Sequence, residues 1–299
     1  DYHQRQKLRE MFVAEGIKNI STHANAQSLR SLMFETPPDL LVLSDDFDDD
    51  VFELAKEVRF NRLGQNPFII ISFLINPRNT ENIEKAIKVG ADDIVIKPVD
   101  SQKVHDRLRL TANHRQPFVA TSEYVGPDRK SEQDRHPGAR RVDVLNTLKE
   151  KANGRTFEQW ELKEAVDECL NKVVEAQLSS QSMKMGALCD VILEAYRGNL
   201  VTVQVKRNFA ELTEILREAS NMATQLKDDS LQTLCLSLAE NVSMMEINYE
   251  TLEDSDIDLI DKLSQAFRMA IDSAAQRTQN EEEELAAKYL KELRQKDAK

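Results

Sequence analysis

The second half of this chain has no proline. All eight prolines among the 299 residues lie at or before Pro137, and no glycine follows Gly198. Proline removes a helical donor and glycine costs backbone entropy, so a long stretch without either reads as helix. Cysteine is scarce, and Cys169, Cys189 and Cys235 form no CxxC pair. Buried free thiols in a reducing, cytoplasmic setting fit that usage better than a metal site. No apolar run approaches the roughly 18 residues of a membrane span. Cations are outnumbered, 40 Lys and Arg against 52 Asp and Glu, and the net charge of -12 argues against general nucleic-acid affinity. The five histidines, His3, His23, His105, His114 and His136, form no ligand-spaced pair and read as surface residues.

What is present divides the chain in three. Residues 1–115 alternate helix and strand patterns, residues 116–156 are polar and in places basic, and residues 157–299 are helical throughout. In the first part, Leu8, Met11 and Phe12 mark a helix ended by Gly16. Ile17 to Thr22 has strand character, and Ala24 to Glu35 is a helix stopped by Pro37-Pro38. Leu40 to Leu43 is a buried strand, Val51 to Arg62 a helix, and Pro67 to Ser72 a strand. Asn79 to Val89, Ile94 to Ile96 and Ser101 to Ala112 continue as helix, strand and helix. Gly90 ends a helix, the acidic turn Asp92-Asp93 follows, and Lys97-Pro98 closes the β-branched strand. Lys97 thus stands at the carboxyl end of a parallel strand, where open α/β sheets place their chemistry.

Three strings, Pro38-Asp39-Leu40-Leu41-Val42-Leu43, Pro67 to Ser72 and Gly90 to Pro98, occur in that order. Together they resemble the receiver domain of bacterial response regulators. That resemblance implies a doubly wound, flavodoxin-like parallel sheet whose first strand lies before Asp1. It also implies a phosphorylation site of five parts. Asp1 corresponds to the second of two acidic residues that hold Mg²⁺, a hard ion that takes oxygen ligands. Ser72 corresponds to the hydroxyl, and Lys97 to the lysine, that contact phosphoryl oxygens. The phosphoacceptor position falls on Ser44, which departs from the family's aspartate and cannot form an acyl phosphate. Asp45 is the alternative acceptor and Mg²⁺ ligand, but successive strand residues point to opposite faces, so this requires a one-residue shift of the strand end. The loop Asp46-Phe47-Asp48-Asp49-Asp50 is short by one residue against the family, and Ile94 replaces its usual aromatic.

The string Tyr124-Val125-Gly126-Pro127-Asp128-Arg129 resembles an extension that follows some bacterial receivers. Here it begins a connector carrying Arg129-Lys130, Arg135 and Arg140-Arg141. Beyond it, Trp160, Leu162, Val166, Cys169, Leu170 and Val173 keep helical spacing, as do Phe209, Leu212, Ile215, Leu216 and Ala219. Gly198-Asn199 breaks the pattern, Asp228 and Asp254-Ser255-Asp256 are N-cap signals, and Met183, Met185, Met222, Met244 and Met245 read as core fillers. Amphipathic helices of this kind pack as an all-α bundle. The stretch from Phe209 to Ile271, especially Leu231 to Leu238, faintly resembles a histidine-phosphotransfer bundle, but no histidine follows His136. Leu285, Tyr289 and Leu293 give the tail an apolar edge, and Glu284 with Lys288 an i,i+4 pair.

The expected protein is therefore not an enzyme and needs no cofactor beyond optional Mg²⁺. It is a two-component signalling protein with a degenerate receiver, coupled to a helical domain for protein interaction or homo-oligomer formation. Its expected partners are proteins: a histidine kinase, a downstream signalling protein or a second copy. A receiver phosphorylated on Asp45, and a transcription regulator with a helical DNA-binding domain, are the alternatives.

Overall fold

The computed structural model describes residues 2–47, 50–129 and 139–274. The chain forms two compact units, Asp1–Val173 and Val174–Lys299, with the division inside one long helix.

Unit one holds a parallel three-stranded sheet, β1 (Leu40–Ser44), β2 (Ile70–Ile75) and β3 (Asp93–Ile96), in that spatial order. Five helices accompany it: α1 (Tyr2–Ala14), α2 (Ala26–Glu35), α3 (Val51–Arg59), α4 (Glu81–Lys88) and α5 (Ser101–Asn113). Alternate residues serve the two faces of the sheet. Leu41, Leu43, Ile71, Phe73 and Ile75 join Leu29 and Met33 of α2 and Leu54, Ala55 and Val58 of α3 in one buried core. Leu40, Val42, Leu74 and Val95 line an apolar cavity with Leu8 and Phe12 of α1 and Val104 and Leu108 of α5.

Ile17 to Thr22 forms no strand. The Ile17 N–H is used to close the end of α1 on the Phe12 carbonyl (3.1 Å). β1 is an edge of the sheet, and residues 17–22 do not pair with it.

β2 begins three residues later than the sequence pattern suggests. Two buried arginines cause this. Arg59 donates to the Pro67 and Ile69 carbonyls (2.6 and 2.9 Å), and Arg115 donates to the Phe68 carbonyl (2.7 Å). These carbonyls are satisfied by side chains, and the ladder starts at Ile70, which pairs with Leu40.

The described residues between 116 and 156 hold more structure than a connector. They form a second, antiparallel sheet of β4 (Phe118–Ala120), β5 (Val125–Pro127) and β6 (Arg141–Val142), in the order β5-β4-β6, and a short helix α6 (Thr147–Ala152). Phe118, Val119, Ala120, Tyr124 and Val125 are buried. The Tyr124 hydroxyl donates to the Pro127 carbonyl (2.8 Å), and Arg129 reaches the Ala91 carbonyl (2.8 Å). Asp92 joins the two sheets. Its carboxylate accepts from Arg59 (2.5 Å), Arg115 (2.7 Å) and the Ile71 N–H (2.8 Å). Both guanidinium groups lie over the Phe118 ring, at 5.1 and 4.7 Å.

Unit two is all helical. Within α7 (Gln159–Arg197) the two helical patterns of the sequence run together without a break. It stops at Gly198, where the Leu200 N–H returns to the Ala195 carbonyl (2.8 Å). Next come α8 (Val203–Gln225), capped by Thr202, and α9 (Asp229–Ile247), where Asp228 accepts from the Leu231 N–H (3.0 Å). A further helix covers residues 254–274 (α10). Phe209, Leu216, Ala219, Cys235, Val242, Ile260 and Phe267 are among its buried core. The tail positions Leu285, Tyr289 and Leu293, the pair Glu284 and Lys288, and Lys130, Arg135 and His136, lie outside the described residues.

Candidate functional site

β1 ends at Ser44, and the chain turns at Asp45 and Asp46. That turn overrides strand alternation and brings both neighbouring side chains to one cation. Lys97, one residue beyond β3, donates from Nζ to Ser44 Oγ (2.8 Å), to Asp45 Oδ1 (3.0 Å) and to the Asp46 carboxylate. The three protons of an ammonium are thereby used. Lys97 precedes a cis bond to Pro98.

Asp45 is the centre of this arrangement. Its side chain is 0% exposed. The backbone N–H donates to the Leu74 carbonyl (3.1 Å), which fixes the turn against β2. Its carboxylate accepts from the Asn76 N–H (3.0 Å), from Asn79 Nδ2 (3.1 Å) and from Asn82 Nδ2 (3.3 Å), as well as from Lys97. Burial by itself would raise this carboxyl. The Asn76 N–H, Lys97, Asn79 and Asn82 outweigh it and hold the group below the ordinary value of 3.8. Asn79 and Asn82 flank the start of α4, whose N-cap Thr80 makes no side-chain cap bond, so the carboxylate also lies near the positive end of that helix. Sequence reading missed these asparagines. The signal was present as Asn76, Asn79 and Asn82 at three-residue spacing ahead of an amphipathic helix.

Ser72 is not part of the cluster. β2 runs on to Ile75, which puts Ser72 in mid-strand, paired with Val42 and Asp93, while Ser44 pairs with Leu74. Its hydroxyl donates to Asp93 Oδ2 (3.3 Å), and it lines the cavity under α1 and α5. Asp93 also meets Arg107 (3.2 Å), yet burial raises its carboxyl above 3.8.

Asp1 lies outside the described residues, as do Asp48 and Asp49. Among the described residues no three His, Cys, Asp or Glu groups are grouped for a metal ion. Both Asp45 oxygens are taken by N–H donors, so a Mg²⁺ ion at that carboxylate would have to displace them. Among the described residues no helix is long and apolar enough to cross a membrane. No protein-family model, curated protein or solved structure matches the chain.

Proposed function

We propose that the chain is a signalling protein whose receiver-like α/β half works as a binding platform without being phosphorylated. Its helical half engages protein partners. The reading rests on the Asp45 carboxylate. Acyl phosphate formation needs a carboxylate oxygen that can reach phosphorus. Here both oxygens accept from N–H donors, the side chain is wholly buried, and Lys97 is engaged by three neighbours. Ser44, another oxygen at Lys97, has no histidine beside it among the described residues to act as a base. The motif order supports the family reading.

One observation favours the second reading, a receiver phosphorylated on Asp45 with Mg²⁺. Lys97 lies 3.0 Å from Asp45 Oδ1, close enough to move onto an oxygen of a phosphoryl group formed there. Sedimentation of the full chain with and without beryllofluoride and Mg²⁺ separates the two. The platform reading predicts one association state in both conditions. A shift that Asp45→Asn abolishes would support the switch.

A further inference from the structure

The exposed side of α9 carries apolar residues where a solvated helix face carries polar ones. Leu236, Met244 and Ile247 are 47%, 60% and 70% exposed. At 100° per residue they fall within a single arc of α9, with Glu240 between them. Leu236 to Ile247 spans about 16 Å, three turns of helix. Met244 is thus a surface residue rather than the core filler its sequence suggested.

Along α9 and the chain that follows it, the charge has one sign. From Asp228 to Asp261 the chain has ten Asp and Glu residues and no Lys, Arg or His. Glu240 and Glu246 lie on α9, and Glu250 and Glu253 follow it. Among the described residues, no cation pairs with any of these four. An apolar stripe with an acidic rim selects against several partners. A second copy of the same face would oppose carboxylates to carboxylates. Nucleic acids and anionic membranes carry the same sign. The complementary shape is a helix with an apolar stripe and a basic rim, the partner in helix-against-groove recognition.

We infer that this face of α9 docks a basic amphipathic helix from a partner protein, through Leu236, Met244 and Ile247 at the centre and the surrounding carboxylates at the edge. The inference rests on the reading of the helical half as an interaction module and names the surface and partner class. Rim charges set on-rate and salt dependence, while the apolar anchors set affinity.

The test uses the full chain and a fluorescein-labelled peptide of about 18 residues, built from leucine at i, i+3, i+4 spacing and lysine elsewhere. Anisotropy titration is expected to show saturable binding that weakens as salt rises. Met244→Lys with Ile247→Lys is expected to weaken it about tenfold or more. Val191→Lys, at an exposed apolar position on α7, is expected to leave it unchanged. Equal binding by the parent and the double variant overturns the proposal, as does no binding by the parent. Sedimentation of the same proteins keeps the two readings apart. Self-association that survives the double variant, with no peptide binding, overturns this surface and leaves the interaction module standing.

Discussion

Gly126 lies so close to Gly90 that a Cβ built on Gly126 would stand 2.5 Å from the Gly90 Cα. The same Cβ would meet the Tyr124 hydroxyl at 2.8 Å, and one on Gly90 would meet the Val125 carbonyl at 2.2 Å. The turn between α4 and β3 touches the backbone of β5 here, and only glycine permits the approach. Gly126→Ala is expected to cost about 1–3 kcal/mol in urea denaturation. Gly154→Ala is the contrast. Its positive φ is strained for alanine, but nothing lies within 4 Å, so its cost is expected to stay near 1–2 kcal/mol.

Asp92 holds the same junction by charge. Burial would raise its carboxyl, and Arg115 and Arg59 bring it below 3.8 instead. Burial lowers Arg59 to about 10, so it stays a cation at neutral pH. Asp92→Ala strands two buried guanidinium groups and is expected to cost about 3–5 kcal/mol. The sign with pH follows from the lowered pKa. The contribution of Asp92 is complete above 3.8 and is lost as pH falls through its lower folded value. Parent stability should therefore drop in acid more steeply than that of Asp92→Asn.

Asp93, the next residue, has the opposite sign. Burial raises its pKa, so its favourable contribution exists below 3.8 and vanishes as pH rises through the folded value. Near neutral pH the charged form is a cost. Asp93→Asn keeps a group to accept the Ser72 hydrogen bond and should match or exceed the parent's stability at neutral pH. Thermal melts near neutral pH and in acid check this, and the advantage should disappear in acid.

Asn79 and Asn82 each supply one donor to Asp45. Removing either by alanine is expected to cost about 1.5–3 kcal/mol, the range for a hydrogen bond to a charged group. The double variant should depart from additivity, because both act on one carboxylate. Additive losses in a double-mutant cycle would contradict the cage.

Cys189 and Cys235 are buried, and burial pushes each thiol up to about 12. Only the thiolate reacts, so native protein should label slowly at both positions. Cys169 is partly exposed and is expected to label first with a disulfide reagent, as read by peptide mass.

Much of this architecture was legible in advance. Leu40 to Leu43 and Ile94 to Ile96 announced parallel strands, although Ile96 is exposed rather than buried, and the proline-free half announced helices. The misses have physical causes. Ile17 to Thr22 has strand residues, but the Ile17 N–H closes the end of α1 and the segment joins no ladder. Pro67 to Ile69 looks like strand, yet Arg59 and Arg115 take its carbonyls, and β2 instead runs on to Ile75, which leaves Ser72 short of the strand's carboxyl end. The polar composition of residues 116–156 hid a small sheet whose stability comes from docking against Gly90 and Asp92. Lys97 was legible as a site residue. The Asn76, Asn79 and Asn82 cage was not, because asparagine near a helix start usually signals a cap.

The most direct measurement is the intact mass of the full chain after incubation with acetyl phosphate and Mg²⁺. A carboxylate engaged on both oxygens, beside a lysine engaged three times, predicts an unchanged mass in the parent and in Asp45→Asn. A phosphoryl adduct on the parent that is absent from Asp45→Asn would contradict the platform reading.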